Sequence, residues 1–219
     1  QLLSGIGSEY FPRLDLLKRY KRVMFIENES DRKILSILAE KCNMSFSTDI
    51  VFWPNTDKHD TRRHLFDELK KIIPNLKGIS IRDRDMDEPD IVGNGLVYKG
   101  ILLPSDSDLK LLEWRRKNIE SYLLCPKAIA LACGRKTEEI IQYFSDKHAL
   151  SISEDGFVEE EPPQAIKYLD GKKIFTSEDI GLQVCFGCNK YDVAKNISAE
   201  EVCDDIRTFL TQVNTLFSE

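Results

Sequence analysis

The sequence predicts an α/β fold: a parallel sheet flanked by helices, with a helical insertion or a C-terminal helical extension. Three observations predict it. Short apolar runs such as Val23 to Ile26 are bounded by polar turns, as in strands buried on both faces. Segments with apolar residues at helical spacing separate these runs. The resulting order of strand, helix, strand, helix, strand is the pattern of parallel strands joined by helical crossovers.

The elements follow in order. Residues 1–20 mix apolar and charged positions and read as a helical or irregular lead-in, or the tail of an upstream domain. Val23 to Ile26 forms the first strand and ends in Glu27. A turn at Asn28-Glu-Ser30 follows, with Ser30 expected as helix cap and Asp31 in the favourable first turn. Ile34, Leu35, Leu38 and Ala39 mark that helix. Residues 49–53 are a second strand closed by Pro54. Residues 56–73 are a helix with Leu65, Phe66, Leu69, Ile72 and Ile73 on one face, stopped by Pro74. Residues 76–81 are a third strand running into Asp83-Arg-Asp85. A polar loop spans 87–94, a fourth strand is expected over 95–103, and a short fifth over 109–114. Helical character then takes over at 119–124, 126–133 and 137–148. Residues 151–163 are acidic and end in Pro, and read as an exposed loop. A short helix over 164–169, a turn over 170–173 and an amphipathic helix over 198–217 close the chain. That last helix can serve the core or a homo-oligomer.

Composition narrows the class. Of 219 residues, 42% are hydrophobic and 31% charged, which permits a buried core under a solvated surface. No apolar run approaches the ~20 residues that span a bilayer, and no basic-then-apolar leader opens the chain. A cytoplasmic protein without membrane partners is expected. The chain does not begin with Met, which reads as a fragment or processed chain. The six cysteines lack the spacing of a disulfide framework and read as reduced thiols. Cys185-Phe-Gly-Cys188 is a lone CxxC, whereas a structural zinc needs about four ligands. His59, His64 and His148 do not complete such a set. The net charge of −6 argues against a purely electrostatic nucleic-acid binder. It is compatible with an enzyme whose carboxylates are countered by divalent ions.

The candidate chemistry lies at strand ends. In parallel sheets, ligands sit outside the carboxyl ends of the strands, where Glu27, Asp83 and Asp85 all fall. On a continuing strand, Asp83 and Asp85 would project to one side. Hard divalent ions take such oxygen ligands, and Glu27 suits a ligand or a base for water. Asp31, four residues on, is placed to face back toward the same centre. Trp53, Trp114, Tyr122 and Tyr143 read as packing residues.

Phe25-Ile-Glu-Asn-Glu-Ser-Asp31, with Asp83-Arg-Asp85 after a hydrophobic strand, resembles the TOPRIM domain of topoisomerases, bacterial primases and certain nucleases. That family usually carries Gly after the Glu; here it is Asn28, which tolerates unusual backbone angles. The segment from Trp114 through Asn118-Ile-Glu-Ser-Tyr-Leu-Leu124 further resembles the overcoming-lysogeny-defect (OLD) nucleases. The resemblance implies a TOPRIM core over 21–117, a helical insertion over 118–163, and the end of the core with a C-terminal helix over 164–219. It implies Mg2+ or Mn2+, two ions, held by Glu27, Asp31, Asp83, Asp85 and Glu120. It implies a catalytic set of Glu27, Asp83, Asp85 and Lys172, with Lys173 as the other claimant to the lysine's role. The activity implied is two-metal nicking or cleavage of DNA in phage defence, with RNA as the alternative substrate.

Arg115 and Arg116, beside Glu120, are expected to contact nucleic acid, while Arg62 and Arg63 read as a solvated helix face. OLD nucleases carry an ATPase domain before the TOPRIM domain. No GxxxxGK[ST] motif occurs in this chain, so an upstream ATPase in the same chain is the expected partner. A catalytically weak TOPRIM module for assembly or nucleic-acid binding is the second reading. A phosphate-accepting response-regulator domain is the third, but it leaves the Glu27 motif unused.

Overall fold

The structure, a computed structural model, describes residues 11–85, 87–158 and 163–218. Expectations for residues 1–10 and for 159–162 of the acidic loop lie outside that set. Among the described residues, four strands form one sheet: β1 (Arg22–Ile26), β2 (Val51–Pro54), β3 (Lys77–Arg82) and β4 (Leu109–Glu113). Their order is β2-β1-β3-β4 and every pairing is parallel. The α/β expectation therefore holds.

Two helices make the crossovers. The chain leaves β1 through α2 (Glu29–Lys41) to reach β2 on one side. It then returns through α3 (His59–Ile72) to place β3 on β1's other side. The direction of winding thus reverses between β1 and β3, and in open α/β sheets it is at such a reversal, outside the carboxyl ends of the strands, that the ligand crevice falls.

Alternation along β1 divides the core. Val23 and Phe25 face a cluster with Trp53, Phe66, Leu69 and Leu111, and α1 (Phe11–Tyr20) adds Leu14 and Leu17 to it. Met24 and Ile26 face the larger cluster, with Ile34, Leu38, Ile79, Ile81 and Leu112. Strand side chains alternate between faces, so one short strand feeds both layers. All four residues from Val23 to Ile26 are buried, as a parallel strand covered on both sides requires.

The C-terminal half supplies the outer helices of the larger cluster: α4 (Pro126–Cys133), α5 (Thr137–His148), α6 (Gln164–Tyr168), α7 (Gly171–Thr176), α8 (Leu182–Phe186), α9 (Lys190–Asn196) and α10 (Asp204–Ser218). Ile129, Phe144, Val193, Phe209 and Val213 pack there beside the sheet residues. No described helix is long and apolar enough to cross a membrane.

Several expectations need correction. Residues 95–103 are not a strand. Gly95 and Leu96 both adopt left-handed backbone, and only single bridges, Val92 to Tyr98 and Val97 to Leu112, tie the segment down. The apolar alternation there packs a loop against the outer edge of β4. The turn expected at 170–173 is the start of α7, because the Asp170 side chain accepts from Lys173 N and caps a helix. The closing helix begins at Asp204 rather than 198. Trp53 and Trp114 are packing residues: Trp114 sits 5.3 Å from both the Tyr122 and the Phe209 rings. All six cysteines are free thiols.

Candidate active site

The β1–β3 crevice gathers four carboxylates. Glu27 follows directly on β1, and Asp83 is the first residue beyond β3. The Asp83 backbone N–H donates to Glu27 Oε1 at 3.2 Å, so the two strand ends are bound together. Asp31 enters from the first turn of α2. Its cap is Asn28, not Ser30: Asn28 Oδ1 accepts from Ser30 N and Asp31 N, and Asp31 Oδ2 accepts from Asn28 N at 3.3 Å. This reciprocal cap turns Asp31 back toward the crevice. Asn28 has extended backbone, with φ −154°, so no glycine-like conformation is required after Glu27.

Glu120 arrives on a 3-10 turn, Ile119–Leu123, that follows β4. The Ile119 backbone N–H donates to Asp83 Oδ1 at 3.2 Å and so locks this turn onto the end of β3. Asp31, Asp83 and Glu120 are 5%, 2% and 2% exposed.

Two lysines reach in from the C-terminal helices. Lys172 Nζ donates to Asp83 Oδ2 at 2.5 Å and lies 3.8 Å from Glu27 Oε2. Lys190 Nζ donates to Glu120 Oε1 at 2.8 Å and to Ser30 Oγ at 3.1 Å. Lys172 is held by the seating of α7. A Cβ on Gly171 would lie 2.3 Å from Ser121 N, so only glycine lets α7 sit this close to the Glu120 turn. Asp170 ties the same junction through Lys117 Nζ and Asn118 Nδ2, both at 2.9 Å.

Burial and like charge dominate the electrostatics. Burial, then the Glu120 and Glu27 carboxylates, push Asp31 up to about 6. Burial and Glu27 hold Asp83 well above the usual carboxylate range, against the pull of Lys172. Burial disfavours the charge of Lys172, but its contact with Asp83 outweighs this and raises the lysine above its ordinary value. Glu120 Oε2 is buried with no hydrogen-bond partner.

A second polar cluster lies on the α3 side of the same sheet end. Arg82, the last residue of β3, pairs in register with Glu113, the last of β4. Its Nη1 is 3.7 Å from Glu113 Oε1, and neither Glu113 oxygen is hydrogen-bonded. Glu113 is fully buried, and burial pushes it up to about 8. Arg62 is buried here too, donating to Ser80 Oγ, the Ile81 carbonyl and the Asn55 carbonyl. It is not part of a solvated helix face. Neutral His59 lies against Ser80 Oγ and the Tyr98 ring.

The structure does not bring every expected residue to the centre. Asp85 is separated from Asp83. The strand ends at Arg82, Asp85 has left-handed backbone with φ 53°, and its side chain is 55% exposed, 4.0 Å from Arg82 Nη2. The two-residue spacing of the acids places them on one side only while a strand continues. Arg115 and Arg116 are buried rather than presented to nucleic acid. Arg115 is paired with Asp205 of α10. Arg116 donates to the Ser121 and Phe157 carbonyls and stacks over the Tyr122 ring. Lys173 is exposed on the other side of α7, in a cleft with His148 and Leu169, so Lys172 is the lysine at the centre. Tyr122 OH donates to Asp205, and Tyr143 OH to the Ile180 carbonyl, within the core. Lys190 carries no local sequence signal that distinguishes it from a solvated lysine.

No protein-family model, curated protein or solved structure matches the chain. Among the described residues, no three His, Cys, Asp or Glu side chains converge closely enough to form a metal-ion site. The two ammonium groups instead lie among the four carboxylates. The donor set still suits a hard divalent cation, being oxygen throughout. Glu120 Oε2, a buried acceptor without a donor, is the kind of atom that calls for a positive partner.

Proposed function

We propose that this chain is a metal-dependent nuclease domain that hydrolyses DNA phosphodiester bonds. One observation carries the reading: Glu27, Asp31, Asp83 and Glu120 all lie around Lys172 where the sheet reverses direction. The resemblance of the Glu27 and Asp83 segments to TOPRIM domains supports a phosphoryl-directed role. The resemblance of the Glu120 segment supports the OLD nucleases in particular, and with them an ATPase domain in the same protein and a role in phage defence.

Glu27 and Asp83 would hold a divalent ion, Mg2+ or Mn2+, with Asp31 and Glu120 completing its surroundings. A bound ion supplies Lewis acidity and draws an anionic phosphate toward an acidic centre. Glu27, the least buried of the four carboxylates, is the base that takes a proton from the attacking water. Lys172 is the more open of the two lysines, 39% exposed against 23% for Lys190. It stabilises negative charge developing on the phosphate. The burial of Asp31, Asp83 and Glu120 limits water around these groups and strengthens each interaction.

The test is plasmid nicking in Mg2+ or Mn2+ by the wild type, Asp83→Asn and Glu27→Gln. Nicking by the wild type alone supports the assignment; equal nicking by all three sinks it. A second reading, a module for assembly or nucleic-acid binding, has its own support: Lys172 and Lys190 each ion-pair a carboxylate of the centre, Asp83 and Glu120. It gains if no protein nicks DNA and neither metal raises the melting temperature.

A further inference from the structure

The geometry points to Lys190 as a built-in substitute for one of two cations, so that this centre binds a single divalent ion. This inference rests on the metal-dependent reading above. The two lysines divide the centre. Lys172 Nζ stands on the Asp83–Glu27 side, while Lys190 Nζ bridges Glu120 Oε1 and Ser30 Oγ on the Asp31 side. Ser30 Oγ is in turn 3.3 Å from Asp31 Oδ1. Lys190 therefore stands on the side where a second ion would draw on Glu120 and Asp31.

Lys190 is also fixed in place. It is the first residue of α9, whose N-terminus is capped by Asn189 Oδ1 accepting from Tyr191 N and Asp192 N, each at 3.0 Å. Val193 and Ala194 of the same helix are fully buried. The Lys190 ammonium lies 5.6 Å from the Tyr191 ring centroid. The Lys190 ammonium is the more enclosed of the two, 23% exposed against 39% for Lys172, and its charge repels an ion on the Glu120–Asp31 side. The two ammonium groups offset two of the four carboxylates and leave at most two negative charges, which one divalent ion matches and two would exceed. With Oε1 of Glu120 taken by Lys190, its unpartnered Oε2 is the acceptor available to that ion.

Mn2+ titration of the full chain, by calorimetry and by the paramagnetic signal of free Mn2+, tests this. The wild type is expected to bind one Mn2+ and Lys190→Gln two. Lys190→Arg keeps the charge and is expected to bind one. Two ions on the wild type overturn the role of Lys190 while leaving the metal-dependent reading in place. One ion with unchanged affinity on a folded Lys190→Gln also overturns it. No binding by the wild type overturns both readings. If Lys190→Gln does not fold, Lys190→Met, which removes the charge and keeps the length of the side chain, is read by the same outcomes.

Discussion

Two polar clusters share the carboxyl end of one sheet and are built on different terms. On the β1–β3 side, Asp83 and Glu120 each hold a lysine at hydrogen-bond distance, and Glu27 and Asp31 flank them. On the β3–β4 side, Glu113 faces Arg82 at 3.7 Å with neither oxygen hydrogen-bonded. The first cluster is braced by helices that arrive late in the chain. The second is formed by strand neighbours in register. Asp83 and Asp85, two residues apart, fall into different clusters because the strand stops at Arg82. Proximity in sequence is a poor guide to a shared site once the backbone leaves the strand.

Four substitutions break or sharpen this contrast, taken from the largest effect down. Arg115→Ala takes the paired guanidinium from buried Asp205 and leaves it the Tyr122 hydroxyl, and breaking a buried ion pair from one side costs about 3–5 kcal/mol. Urea unfolding measures it, and DNA binding should keep its salt slope if Arg115 touches no phosphate. Asp83→Asn should reduce metal-dependent nicking by about 100-fold, the scale of losing one preorganised charged group, with the fold retained by circular dichroism.

Glu113→Gln addresses the second cluster. Its folded pKa of about 8 stands above the ordinary value of 4.5. The protonated form is therefore favoured by folding: the stabilisation is complete below the unfolded value and is lost as pH rises through the folded one. The wild type should lose on the order of 3 kcal/mol between about pH 5 and pH 8 from this group. Glu113→Gln should show a flatter profile in melts at both pH values; an unchanged slope would contradict the assignment. Smallest of all, Asp85→Ala should change stability by less than about 0.5 kcal/mol, as exposed substitutions do. Its nicking should stay within about threefold of wild type, in contrast to Asp83→Asn.

The first half of the fold is legible in the sequence because its signals are local. A four-residue apolar run ending in an acid leaves Glu27 one place in a parallel sheet, and Pro74 and the Leu76–Ile81 run set β3 just as locally. Glu120 is legible through a resemblance, not through spacing. Arg115 and Arg116 are not legible as core residues, since their partners, Asp205 and the Phe157 carbonyl, come 90 and 41 residues later. Gly171 looks like a turn glycine, and its actual requirement, close approach to Ser121, is a tertiary fact. The alternation at 95–103 is real, but the left-handed residues Gly95 and Leu96 forbid a continuous strand.

The lysines of the centre also set an order of events. Lys172 lies 89 residues beyond Asp83, and Lys190 lies 70 beyond Glu120. Contacts that span so much chain close later than local ones. During synthesis, the acids of β1, α2 and β3 emerge long before their counter-charges. Until α7 and α9 dock, they repel one another at the sheet's end. A partly made chain therefore holds no assembled centre, and completion of the site coincides with the docking of the last helices.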